Sequence, residues 1–383
     1  MDFNYNDQQQ AIRRLVREFT EKEIAPGAEE RDRSGEFDYA LYRKLGDLGV
    51  MGMQFPSEYG GSEHDFLSYC LAIEEISRAD ISLAASTWVS VATTQQFVRF
   101  GTKEQKERWK DMYVVPVVQG AATTAGAITE PGAGSDTRAT RTTAVLDGDE
   151  WVINGSKMFI TNAGLDNNLF VNVLCITDKP TLEFSYILVP TGTQGYTIMP
   201  KLRKIGFRSS STHELAFDDC RVPAFNLMGE RGIGRRIFVD TMIAEGRLTI
   251  SSGALGIAVA CFEQALAYAK QRIAFKRPIT KFQFVQGMLV DMALELETSR
   301  MLRDKAALTV DEGVVDMKLS AMAKYFCCES AKRAADYAIQ IHGGMGLMDE
   351  CPVSRYYRDA RVTTIPDGTT EIMKWIIARE IGC

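Results

Sequence analysis

Histidine is nearly missing from this chain, with three in 383 residues. The eight cysteines, Cys70, Cys175, Cys220, Cys261, Cys327, Cys328, Cys351 and Cys383, show no CxxC spacing. So few imidazole and thiol clusters argue against a metal site or a disulfide framework, and most of the cysteines read as small core hydrophobes. Basic charge is also not in excess. Lys and Arg total 44 against 50 Asp and Glu, a net charge of -6, which leaves no nucleic-acid footprint. No uninterrupted apolar run approaches the ~20 residues of a spanning helix, and the opening MDFNYNDQQQAIRRLVREF lacks a signal-peptide layout. The expectation is no membrane insertion and a location in the cytoplasm of a bacterium or, as a mature form without its leader, in the mitochondrial matrix. What is present is 45% hydrophobic and 25% charged residues, the make-up of a soluble globular protein long enough for two or three units around a shared core.

Three textures follow one another along the chain. Over 7–25, apolar Ile12, Leu15, Val16, Phe19 and Ile24 recur at helical spacing, with Asn6 or Asp7 as a cap and Pro26 as a stop. Segments 38–50, 65–79, 82–99 and 103–118 repeat that character. From about 119 to 228 the chain turns rich in Gly, Thr and β-branched residues, with runs at 151–161, 169–177, 184–189 and 213–219 that read as antiparallel strands. Helical texture returns over 231–273, 281–310 and 314–342, then in shorter pieces. The α and β units do not alternate, which disfavours a Rossmann sheet. The predicted class is α+β, with an N-terminal helical domain (1–118), a middle antiparallel β-domain (119–228) and a C-terminal four-helix bundle (229–383).

Five short stretches have the composition of ligand sites. The loop 127-AITEPGAGSD-136 offers glycine backbone and the hydroxyls of Thr129 and Ser135, and 156-SKMFITNA-163 is a strand ending in Thr-Asn. In 271-QRIAFKRP-278, followed by Gln283, Arg272 has the planar fork that suits a phosphate. The paired glycines of 340-QIHGGMG-346 end a helix, and 366-PDGTTE-371 precedes another whose first N–H groups favour an anion. Each also has an ordinary structural reading: a hairpin loop, a sandwich core, a cationic helix end, a C-cap, a turn.

In this order and on this layout, the five stretches resemble those of the acyl-CoA dehydrogenase family over essentially the whole chain. The resemblance implies FAD as cofactor, an acyl-CoA substrate, an electron-transferring flavoprotein as acceptor and a homotetramer built as a dimer of dimers. By position it implies that Ala127, Ile128, Thr129 and Ser135 line the flavin and the CoA arm, with Ser135 nearer the CoA. Phe159, Ile160 and Thr161 would lie beside the flavin ring. Arg272, Gln283, Gln340 and Gly344 would reach the adenosine diphosphate part of a flavin, largely the neighbouring subunit's. Thr369 and Glu371 would meet their own subunit's cofactor. Arg247, in 244-AEGRLTIS-251, and Gly368 fall near the thioester. One departure is Phe275-Lys276-Arg277-Pro278, where the family often reads Phe-Gly-Lys-Pro.

The family reaction removes the α-proton of the thioester with a carboxylate while the β-hydrogen leaves as hydride to the flavin. Most members supply that carboxylate as Glu before the Gly of Tyr-Glu-Gly-Thr; this chain has Pro366-Asp367-Gly368-Thr369. A second family solution places Glu directly before the bundle-helix Arg. Here that position is Gly246, with Glu245 one residue earlier, turned by ~100° on a regular helix. Asp367 is therefore the favoured base and Glu245 its alternative. Asp withdraws the carboxylate by ~1.5 Å, one C–C bond, which a bulkier α-branched or alicyclic acyl group such as cyclohexanecarboxyl-CoA would fill. Asp is also the weaker base and needs burial, expected from Ile365, Pro366 and Trp375. The competing expectations are a straight short-chain acyl-CoA dehydrogenase, a non-dehydrogenating lyase on the same fold, and a CoA-ester-binding protein.

Overall fold

The computed structural model describes residues 4–383; residues 1–3 of the expected N-terminal unit lie outside it. Seven helices come first: α1 (Asp7–Phe19), α2 (Ala28–Ser34), α3 (Tyr39–Asp47), α4 (Phe66–Ser77), α5 (Ile81–Phe100), α6 (Lys103–Trp109) and α7 (Val115–Val118). Asn6 caps α1 by a reciprocal pair of bonds with Gln9, which satisfies two donors the helix cannot pair itself. Pro26 does not stop the helical path as expected. The chain runs through a π turn (Thr20–Ile24) and a 3-10 turn (Ala25–Gly27) into α2, with Pro26 in a first turn that does not need its missing N–H.

Seven strands follow: β1 (Thr123–Ala127), β2 (Thr143–Asp147), β3 (Glu150–Thr161), β4 (Asn168–Asp178), β5 (Glu183–Pro190), β6 (Tyr196–Ile198) and β7 (Thr212–Pro223). They form one sheet in the order β1-β4-β2-β3-β7-β6, with β5 also on β4. The expectation of a wholly antiparallel sheet is corrected here, because β1 runs parallel to β4 and β2 meets β4 through one parallel pair. No hairpin joins β1 to β4, so nothing forces them to run in opposite directions.

The C-terminal part holds α8 (Gly234–Ile237), a π stretch (Phe238–Gly246), α9 (Arg247–Gln271), α10 (Gln283–Asp311), α11 (Met317–His342), α12 (Pro352–Thr363) and α13 (Thr370–Glu380). The continuous helix Gly234–Gln271 has the length and composition to cross a bilayer, yet 72% of its most apolar window is packed inside the protein. α10, α11 and α12 surround α9, and α4 packs on it so closely that a Cβ at Gly256 would sit 2.3 Å from the Glu74 carbonyl oxygen. Only glycine allows that approach. Glu74 is fully buried and reaches Arg303 of α10 at 2.8 Å and Arg13 of α1 at 3.6 Å. The N-terminal helices and the bundle thus share one apolar core, while the sheet has its own.

Candidate active site

Two of the five stretches meet beside the C-terminal half of β3. Lys157 of β3 is fully buried, lies 2.9 Å from the Glu130 carboxylate and donates to the Ile128 carbonyl at 3.0 Å. Glu130 also accepts from the backbone N–H groups of Arg141 (2.7 Å) and Thr142 (3.0 Å). Burial pulls the Lys157 ammonium below its ordinary pKa. Burial pushes Glu130 the other way, but Lys157 and the N–H donors outweigh it and hold the carboxyl below the usual range. The Met158 N–H then donates to the Thr129 carbonyl at 2.8 Å, so the loop after Ala127 is pinned beside β3.

A bulge lies between Lys157 and Ile160. Within it Phe159 takes φ 63 and stands 60% exposed, while Ile160 turns into the sheet core and Thr161 is half-buried. A non-glycine residue in that conformation costs ~1–3 kcal/mol and marks a site held by its surroundings. The holding contact is Asn162, buried with φ 70, whose amide donates to Ser86, Ser90 and Thr124 at 3.0–3.2 Å. Ser135 is exposed on the loop, and a Cβ at Gly132 or Gly134 would meet nothing within 4 Å.

The second centre is the turn between α12 and α13. Asp367 (φ 55) and Gly368 (φ 96) are consecutive left-handed residues, and Thr369 caps α13 by accepting from the Ile372 N–H at 3.3 Å. Glu371, exposed in the first turn, has its carboxyl lowered by its own N–H and by the Thr369 hydroxyl. The fully buried Lys324 of α11 donates to the Gly368 carbonyl at 2.7 Å. Arg247, the first residue of α9, is 3% exposed; it donates to Ser320 at 3.4 Å and its Nε has no partner. Burial lowers the Arg247 pKa to about 10, with Asp367 opposing. Burial raises the Asp367 carboxyl above its ordinary value, opposed by Lys324 and then Arg247.

A Cβ placed on Gly246 would lie 3.7 Å from Asp367 Oδ1, its nearest atom outside the local chain. The π stretch therefore presents bare backbone to the carboxylate. Glu245 points elsewhere: its carboxylate is buried and pairs with the partly exposed Arg99 of α5. The expected 100° rotation does not hold here, because i→i+5 turns rotate each residue by less, but the separation of the two side chains does. The shielding expected from Ile365, Pro366 and Trp375 is corrected too. Ile365 is 55% and Trp375 61% exposed, and Asp367 is half-buried, with the bare backbone of Gly246 beside it and the charges of Lys324 and Arg247 acting on it. Thr241 of the π stretch accepts from Gln96 of α5 (3.1 Å), whose oxygen accepts from Asn172 of β4, so the turn side and the sheet side are held in one frame.

A third feature is a cavity of about 610 Å³ lined by Tyr268, Arg272, His342, Gly343 and Gly344 among others. His342 stacks on Tyr268 at 4.4 Å, and the glycines leave open space above them. Arg272 and Gly344 meet there; Gln283 and Gln340 are exposed but do not line it. An aromatic wall, an exposed Arg and open glycine backbone, together with the exposed Phe159 and the glycine loop, fit a ligand with a flat ring system and phosphates. Among the described residues no group of His, Cys, Asp and Glu is arranged to hold a metal ion. Sequence reasoning missed Lys324, whose signal was a lone charge on the apolar stripe of α11, and the Lys157–Glu130 pair.

Models of the N-terminal, middle and C-terminal domains of acyl-CoA dehydrogenases match residues 6–113, 125–220 and 232–382. A probable acyl-CoA dehydrogenase of Bacillus subtilis is 42% identical, over 100% of both chains. The butyryl-CoA dehydrogenase of Megasphaera elsdenii superposes with a TM-score of 0.94 at 38% identity, covering all of both chains. A chain solved with the electron transferring flavoprotein of Acidaminococcus fermentans as its subject matches at TM-score 0.95 and 39% identity, again over all of both chains.

Proposed function

This chain belongs to the acyl-CoA dehydrogenase family, whose members bind FAD, and from that premise we propose that Asp367 is its catalytic base and an α-branched or alicyclic acyl-CoA its substrate. The enzyme is an FAD-dependent oxidoreductase. The observation that carries the assignment of the base is Gly246. Of the two positions where the resemblance puts a carboxylate, Gly246 bears none, and a Cβ built on it would lie 3.7 Å from Asp367 Oδ1, which supports Asp367 as the group that serves that space. Glu245, the alternative, is committed to Arg99.

Burial raises the Asp367 carboxyl above its ordinary value, which strengthens it as a base, while Lys324 and Arg247 oppose that shift. Asp367 takes the α-proton, and Arg247 and Gly368 flank the thioester. FAD, when bound, supplies acceptance of the β-hydrogen as hydride. Ile128, Thr129 and Ser135 would line flavin and CoA, with Phe159 and Thr161 beside the ring and Thr369 and Glu371 toward the same cofactor; Ala127 and Ile160, whose side chains are buried in the sheet core, would offer only backbone there. Arg272, Gln283, Gln340 and Gly344 would hold the adenosine diphosphate part of a neighbouring subunit's FAD. Their exposure supports this, as does an apolar stripe on α10 of Val290, Leu294 and Met301, 61–66% exposed, which suits burial in a homotetramer. The Acidaminococcus relative supports an electron-transferring flavoprotein as acceptor.

The shorter base and the bare Gly246 both widen the space beside the substrate α-carbon, which favours a branched or ring carbon such as that of cyclohexanecarboxyl-CoA. The Megasphaera relative favours a second reading, a straight short chain. Anaerobic addition of butyryl-CoA, isobutyryl-CoA and cyclohexanecarboxyl-CoA separates them. Bleaching of the flavin band is expected, fastest with the branched or cyclic thioesters. Far faster bleaching by butyryl-CoA would replace the substrate reading with the straight-chain one, and product release with the flavin still oxidised would mean a lyase.

A further inference from the structure

The buried stripe of α11 runs Ser320, Ala323, Lys324, Cys327, Cys328 and Ala331, and one ammonium stands in it. Packing alone is met at such a position by Leu or Met, and an ammonium taken fully out of water needs compensation. Lys324 finds a hydrogen bond to a neutral group, the Gly368 carbonyl at 2.7 Å. The charged and titratable groups facing it are Cys328 and Glu329 on α11, Asp367 on the turn and Arg247 at the start of α9. Glu329 is already bonded to Lys332 at 2.6 Å and to Thr370 at 2.7 Å. Asp367 is the carboxylate that remains for Lys324, and it occupies a left-handed turn whose next carbonyl that ammonium grips.

We propose that Lys324 is a positioning residue for α-proton removal, holding the Asp367–Gly368 turn through the Gly368 carbonyl and keeping the Asp367 carboxylate charged until substrate arrives. This rests on the reading of Asp367 as the base. The α-proton moves from the substrate carbon to Asp367, and Lys324 keeps its own protons throughout. Two functions are thereby joined in one side chain: a hydrogen bond that sets where the carboxylate points, and a charge that sets when it is ionised. Arg247 supplies charge from the other side but does not bond the turn. Burial itself pulls the Lys324 pKa down, and the Cys328 thiol and Asp367 carboxylate act against that shift.

The test is the pH dependence of anaerobic flavin reduction, followed by stopped flow with whichever of butyryl-CoA, isobutyryl-CoA and cyclohexanecarboxyl-CoA bleaches fastest, in Lys324→Gln and Lys324→Met holoenzymes. Gln retains a donor for the Gly368 carbonyl without the charge, and Met retains neither. In both variants the acid limb should move to higher pH by about one unit or more, a tenfold loss of rate at a fixed pH on that limb. The high-pH plateau should survive in Lys324→Gln and fall in Lys324→Met, with FAD content at the parent level in Lys324→Gln. An unmoved limb, with or without a lower plateau, overturns the proposal and leaves Lys324 a packing residue. If Lys324→Met is insoluble, the limb of Lys324→Gln decides alone. Asp367→Asn is run alongside: if it still reduces the flavin, the reading of the base has failed rather than the role of Lys324.

Discussion

Replacing Lys157 with Met removes the cation from a pair whose members are 0% and 5% exposed. Glu130 would keep its two backbone donors at 2.7 and 3.0 Å but lose its counter-charge, and the Ile128 carbonyl would lose its donor at 3.0 Å. Breaking a buried pair from one side costs about 3–5 kcal/mol, and the lost bond to the carbonyl adds about 1 kcal/mol. Lys157→Met should therefore lose roughly 4–6 kcal/mol in urea unfolding followed by circular dichroism. The double variant with Glu130→Gln leaves no unpaired charge, and should lose only about 1–3 kcal/mol. Because the pair pins the loop that carries Thr129 beside β3, FAD content should fall in the single variant and recover in the double. A single variant within ~1 kcal/mol of the parent, or a double as damaged as the single, would refute the argument that charge burial organises this loop.

Other outcomes follow from the same geometry. Glu245→Gln should leave flavin reduction within about twofold of the parent and lower stability by no more than ~2 kcal/mol, since Arg99 is 41% exposed; stopped flow and urea unfolding check both. Asp359, buried and accepting from the Phe207 N–H, has its carboxyl raised to about 6 by burial. The folded state holds that proton more tightly than the unfolded, so this group's stability is full below the ordinary carboxylate pKa and lost as pH rises through about 6. Relative to the parent, Asp359→Asn should gain up to about 3 kcal/mol between roughly pH 4 and pH 7, measured by urea midpoints. Gly246→Glu in an Asp367→Asn background places a carboxylate in the same space from the other side, and should restore measurable flavin bleaching; no rescue with FAD bound would mean the two positions do not serve one atom.

The helices were legible because their apolar spacing is regular and their caps are local: Asn6 and Thr369 both act within three residues. The long strands β3, β4, β5 and β7 were legible from β-branched runs, whereas β1, β2 and β6 are three to five residues long and carry little pattern. The parallel β1–β4 pairing depends on where distant strands meet, which no local rule states. At the proposed site, Asp367 and Arg247 were named through motif order. Lys324 was not, although a single ammonium among Ala and Cys on a buried stripe is a physical signal in its own right. The openness of Gly246 toward Asp367 depends on packing the π stretch against the α12–α13 turn, so it had to await the fold.

The most direct measurement is anaerobic flavin reduction by Asp367→Asn, with FAD content and thioester binding measured on the same sample. The account predicts parent-level FAD, retained binding and no bleaching with any thioester of the panel. Bleaching at the parent rate would contradict it and move the base to Glu245.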